Sequence, residues 1–91
     1  MSYEIEYSKE AETDLAKFKK SNPIAFKKLH RLTEEIMEHP RTGTGHPEPL
    51  KSGNYITYSR HITKKNRIVY DIYDKKASVL IISIEGHYGD K

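Results

Sequence analysis

Near its C-terminal end the chain carries Ser-Val-Leu-Ile-Ile-Ser-Ile, residues 78–84, a run almost unbroken in apolar side chains. A segment of this length and composition reads as a central strand, paired on both edges and covered on both faces or mostly so. That demand is heavy here. Leu, Ile, Val and Phe make up 19 of the 91 residues, just above the level of roughly 20% below which charged chains tend to stay disordered. The chain therefore has material for one modest core, and the expectation is a single domain over residues 1–91 with no independent second unit. A multidomain enzyme is excluded.

The remaining elements follow from changes of period along the chain. Tyr3, Ile5 and Tyr7 alternate with Glu4 and Glu6, the pattern of a strand with one wet face. Ser8 is placed to cap a helix of about three turns, with Glu10 and Glu12 near its positive end and Ala11, Leu15 and Phe18 along one side. Lys19-Lys20-Ser21 ends it. Asn22-Pro23 starts a second helix, since Asn is a favoured cap and Pro loses nothing in the first turn. There Ala25, Leu29, Leu32 and Ile36 form a single stripe that His39-Pro40 terminates. Residues 41–49, with two glycines and two prolines, read as a loop. Strand-like runs follow at 54–62, 67–73 and 77–85, joined by short polar stretches as in an antiparallel meander. The expected fold is α+β in the order β-α-α-β-β-β, a helical hairpin on one face of a twisted, mainly antiparallel sheet whose other face carries polar work.

Charge is distributed unevenly. Residues 1–14 sum to −4 and residues 15–35 to +4, and residues 53–69 add four cations with no acid. Two basic blocks that meet in space would suit a polyanion, although lysines on helix surfaces also serve solubility. The chain has no cysteine, which removes thiolate catalysis, disulfides and Cys-type zinc sites. No segment approaches the roughly 20 apolar residues of a membrane span, and the first residues lack the pattern of a secretory signal, so the reading is a cytoplasmic chain.

Among the polar candidates, His30 with Glu34 and His46 with Glu48 have spacings that invite a metal, but neither set is completed, and a site without metal or cofactor is expected. Glu48 with Lys51, Arg60 with His61, Arg67, and His87-Tyr88 all lie at ends of elements that an antiparallel sheet can bring close. Such a set suits RNA cleavage. The 2′-hydroxyl needs a base, the phosphorane needs positive charge and the leaving 5′-oxygen needs a proton, roles that Glu48, Arg67 and His87 could fill in that order. The imidazole suits the acid step because its ordinary pKa of about 6.5 leaves a protonated fraction near neutrality. The same residues also fit a plainer reading, with Glu48 and Arg67 as a surface ion pair and His87 in a frayed tail. Tyr55, Tyr58 and Tyr88 are candidates for stacking on unpaired bases, whereas Tyr70 and Tyr73, interleaved with Ile68, Val69 and Ile72, read as sheet packing.

These residues, in this order, resemble the YoeB (also called Txe) branch of the RelE/ParE toxin superfamily. The matching text is GTGHPEPLKSGNYITYSRHITKKNRIVYDIYD followed by SIEGHY, and the resemblance covers essentially the whole chain. It implies a RelE-like microbial RNase-type fold. It also implies the toxin of a type II toxin-antitoxin pair, a ribosome-dependent messenger RNA endonuclease that cuts in the A site by 2′-hydroxyl attack and leaves a 2′,3′-cyclic phosphate. By motif match Glu48 is the general base, Arg67 the stabiliser of the phosphorane, His87 the general acid and Tyr88 a positioning group, with Lys51 and Arg60 as supporting phosphate contacts. Lys17, Lys19, Lys20, Lys27 and Lys28 become the expected ribosome contacts. The implied partners are a YefM-like antitoxin, the ribosome and its message, operator DNA when the antitoxin is bound, and a second copy of the chain. Two departures stand out: His61 replaces a second arginine usual in the family, and Gly89-Asp90-Lys91 follow the tyrosine at which family chains commonly stop. The competing readings are a ParE-like poison of DNA gyrase, which shares the fold without needing the catalytic set, and an RNA-binding module without turnover.

Overall fold

The structure, a computed structural model, describes residues 2–50 and 56–85. Strand β1 (Glu4–Tyr7) leads into helices α1 (Lys9–Ser21) and α2 (Pro23–Glu38), followed by β2 (Glu48–Pro49), β3 (Thr57–His61), β4 (Arg67–Tyr73), a 3₁₀ turn (Asp74–Lys76) and β5 (Ser78–Glu85). The sheet order is β1-β5-β4-β3-β2. β1 pairs parallel to β5, and the other neighbours are antiparallel. The apolar run of β5 thus lies inside the sheet, as its composition demands.

Both helices begin where their caps place them. Ser8 Oγ accepts from the Ala11 amide, and Asn22 Oδ1 accepts from the Ala25 amide with Pro23 in the first turn. Ala11 and Phe18 of α1 and Ala25, Leu29, Leu32 and Ile36 of α2 are buried against Ile68, Tyr70, Ile72, Val79, Ile81 and Ile84 of the sheet. Burial of such side chains contributes about 1.5–3 kcal/mol each before conformational entropy is counted.

Residues 41–49 are not wholly a loop: Glu48 and Pro49 pair with Ser59 and Tyr58 as the edge strand β2. Two residues, one of them a proline and the other between prolines, show no period, so their pairing is set by β3 and not by local pattern. β3 begins at Thr57, later than the expected start at residue 54, and residues 51–55 lie outside the described set. The β4–β5 register shifts between Val69 and Tyr70, which leaves Ile82 as the extra residue of a bulge. Beyond the last β1–β5 pair, Tyr7 with Ile81, the hairpin takes over the exposed edge of β5. Ser8 Oγ donates to Ile82 O at 2.7 Å and Asp14 Oδ2 accepts from the Ile84 amide at 3.1 Å. Ser8 thereby caps α1 and fixes the bulge at once. No helix among the described residues is long and apolar enough to cross a membrane.

Candidate active face and basic groove

Strand alternation divides the sheet residues between two faces. Tyr58, Arg60 and Ile62, with Ile68, Tyr70 and Ile72 beside them, belong to the helix-covered side. Thr57, Ser59 and His61 of β3 and Arg67, Val69 and Asp71 of β4 belong to the other. Glu48 is opposite Ser59 and so belongs to the same side of the sheet, the open face away from the helices, where it is exposed although Ser59 and Val69 beside it are buried. Arg67 is 8% exposed there, donates from Nη1 to Ser59 Oγ at 3.3 Å and holds Nε 3.5 Å from Glu85 Oε1. Its register partners are His61 on β3, which is exposed, and Glu85 on β5. The open face therefore combines a carboxylate, an imidazole and a guanidinium held in a sparingly hydrated place, where its charge acts more strongly than in bulk water. The remaining expected site residues, Lys51, Tyr55, His87 and Tyr88, lie outside the described residues.

Two expected substrate contacts are corrected. Arg60 has no exposed surface, and its guanidinium faces α2 and the loop that follows, so it offers nothing to a phosphate on the open face. Tyr58 is 7% exposed, its ring stacked on that of Tyr70 at 6.4 Å with the Arg41 guanidinium 5.7 Å from its centroid. It is a packing residue, as Tyr70 is. A signal for both existed in the sequence: Tyr58, Arg60 and Ile62 are spaced by two, so the core-facing Ile62 places the others on its own side.

The lysines expected to face a polyanion are all exposed, Lys17, Lys19 and Lys20 on α1 and Lys27 and Lys28 on α2. Two hollows of about 370 and 430 Å³ adjoin along α2 and share Lys28 and Thr63. Their walls carry Lys27, Lys28, Arg31, Lys64, His46 and His61 and no carboxylate. Arg31 and Lys64 belong to the two basic blocks expected to meet, although neither was singled out as a ribosome contact. Arg31 follows Lys27 by one helical turn and so shares its face, but Lys64 joins them only through the fold. No group of three or more His, Cys, Asp or Glu side chains among the described residues converges as a metal site would.

Residues 7–88 match the family model of the YoeB-like toxin of bacterial type II toxin-antitoxin systems. A toxin YoeB from Synechocystis is 37% identical over 71 residues, which span 78% of this chain and 80% of that protein. The YoeB dimer from Staphylococcus aureus superposes with a TM-score of 0.81 at 31% identity, covering 97% of this chain and all of that one. The YoeB-YefM heterotetramer from the same organism gives 0.78 at 31% identity, with 97% of this chain and 100% of that one covered. With two helices on a mixed five-stranded sheet and this sequence match over nearly its full length, the chain belongs to the YoeB-like toxins of bacterial type II toxin-antitoxin systems.

Proposed function

We propose that this toxin is a ribosome-dependent endoribonuclease that cuts messenger RNA in the A site without a metal ion. The observation that carries the reading is the placement of Glu48 and Arg67 on one open sheet face, linked through Ser59. On this reading Glu48 takes the proton from a 2′-hydroxyl as the oxygen attacks the adjacent phosphorus, and Arg67 meets the negative charge that builds on the phosphorane. His87, two residues beyond the strand residue that pairs with Arg67, returns a proton to the departing 5′-oxygen, and Tyr88 orients the substrate. The products are a 2′,3′-cyclic phosphate and a free 5′-hydroxyl. Lys51, Tyr55 and His61 contact the strand on either side of the scissile bond.

The basic hollows along α2 support a second contact, with Lys27 and Lys28 gripping ribosomal RNA and Lys17, Lys19 and Lys20 extending that grip along α1. A YefM-like antitoxin neutralises the toxin in the cytoplasm, the complex binds operator DNA, and the free toxin pairs with a second copy. The solved YoeB-YefM complex and YoeB dimer of Staphylococcus aureus support the antitoxin complex and the pairing of two copies.

The test is to add purified toxin to ribosomes translating a defined message and to map new 5′ ends against codon positions. Cleavage inside the A-site codon that requires translation, and that falls by about 10²- to 10⁴-fold for Glu48→Ala, is the expected result. Intact message accompanied by gyrase-dependent DNA breaks would defeat the proposal.

A further inference from the structure

Arg60 is a buried cation with an unusual set of partners. Its Nε donates to the Tyr70 hydroxyl at 3.3 Å and its Nη1 to Glu35 Oε1 at 2.8 Å. Its Nη2 faces three backbone carbonyls, those of His39 at 2.9 Å, Pro40 at 3.3 Å and Thr42 at 2.9 Å. Glu35 spends its remaining capacity on the same segment, accepting from the Thr44 amide at 2.7 Å and from Thr44 Oγ1 at 3.1 Å. Tyr70 does likewise, donating to Pro40 O at 2.7 Å. The side chains of Glu35, Arg60 and Tyr70 thus converge on the backbone of residues 39–44, the link between α2 and β2.

The segment is moulded to this clamp. At Gly43 (φ +117°) a Cβ would fall 2.6 Å from Glu35 Oε1. At Gly45 (φ +89°) it would fall 2.5 Å from His61 O and 2.7 Å from Arg60 Cγ. His46, which has a side chain, is nonetheless held at φ 53°. Such a residue persists in the left-handed region only where its surroundings over-determine it. Gly45 O then accepts from the His61 amide at 2.7 Å, and only His46 and Pro47 separate this anchor from Glu48.

Stability alone does not account for the arrangement. An apolar side chain in the place of a buried ion pair commonly holds a core as well or better, whereas a guanidinium can bind several carbonyls in fixed directions. β2 needs such help, since Glu48 and Pro49 are both exposed and contribute nothing to the core. Building on the proposed nuclease activity, we propose that Arg60 and Glu35 are positioning residues that hold the proposed base, Glu48, in register on the open face by clamping residues 39–44.

The test pairs a structural readout with a kinetic one in Arg60→Lys and, should that variant not fold, Glu35→Gln. Amide hydrogen exchange is followed at Thr44, His61 and Leu50, the last of which donates to Thr57 O at 2.9 Å. Single-turnover cleavage is measured on programmed ribosomes as a function of ribosome concentration. Expected are exchange at these three amides about 10-fold faster with β4–β5 amides unchanged, a maximal cleavage rate lower by about 10- to 100-fold, and a half-saturating ribosome concentration within about 2-fold of wild type. Uniform acceleration across all amides, or loosened β2 amides with wild-type cleavage, would overturn the assignment. Failure of the wild-type chain to cut any message refutes the nuclease reading itself and removes the catalytic consequence, while the exchange pattern still decides whether the clamp holds β2.

Discussion

Arg67 and Ser59 are joined by a 3.3 Å hydrogen bond although the strand register places Ser59 opposite Val69 and Arg67 opposite His61. The bond is therefore diagonal, and it draws the guanidinium along β3 toward the residue that faces Glu48. A long side chain can span the diagonal of an antiparallel pair, where a short one could not. The guanidinium is anchored at a second point as well, by Glu85 across β5.

Because those two anchors lie in different directions, Arg67→Lys keeps the charge and loses the geometry. An ammonium is a point donor and cannot reproduce the fork. Message cleavage on translating ribosomes is expected to fall by about 10²-fold, with the thermal midpoint lowered by a few degrees. Cleavage within a factor of about 3 of wild type would show that charge alone suffices.

Asp74 accepts from the Tyr3 hydroxyl at 2.6 Å and from both terminal nitrogens of Arg41, at 3.2 and 3.0 Å. The Arg41 bonds, and then that from Tyr3, hold its carboxyl below the usual range. A group depressed in the folded state contributes stability above its unfolded value, about 3.9, and loses it as pH falls through the folded one. The Tyr3 hydroxyl is raised, first by the same bond to Asp74. Its contribution is complete below the unfolded value of about 10 and disappears as pH rises through the folded one. Thermal midpoints measured from acid to alkaline pH should therefore be flatter at both ends for Asp74→Asn than for wild type. The difference will be small, since the Asp74 side chain is 56% exposed and solvent screens the pair. Superimposable profiles would assign the titration to other groups.

Neutralising Lys27, Lys28 and Arg31 together, each to Gln, removes three cations from the hollows along α2. The slope of log affinity for ribosomes against log salt should become shallower by about 2. An unchanged slope would leave these residues with solubility as their role.

Ala77 closes the 3₁₀ turn with φ 50° and ψ 48°. An L-residue pays roughly 1–2 kcal/mol in that region, and glycine avoids the clash at the cost of a more flexible unfolded chain. Ala77→Gly should accordingly raise stability by about 0.5–1 kcal/mol, a gain of some 2–6 °C for a chain of this size. A lower midpoint in calorimetry would mean that the Ala77 methyl packs more favourably than its backbone is strained.

The helices were legible because their information is local. Ser8 and Asn22-Pro23 mark their own starts, and the stripe Ala25, Leu29, Leu32 and Ile36 needs only its spacing to reveal a buried face. The identity of β5 as an inner strand was equally plain from residues 78–84. Glu48 and Arg67 were identifiable by residue type and motif, but their common face depends on the pairing of β2 with β3, which Glu48 and Pro49 do not encode alone.

A repeat of 2 or 3.6 residues and a capping side chain were enough to specify the two helices and the three later strands, and the motifs between them carried the resemblance to the family. The tertiary structure decided the two-residue edge strand, the parallel pairing of β1 beside β5, and the fate of Arg60. Each of these depends on partners far along the chain. For Arg60 the difference is sharpest: a guanidinium costs too much to bury until Glu35, Tyr70 and three carbonyls of residues 39–42 are gathered around it, and only the completed fold gathers them.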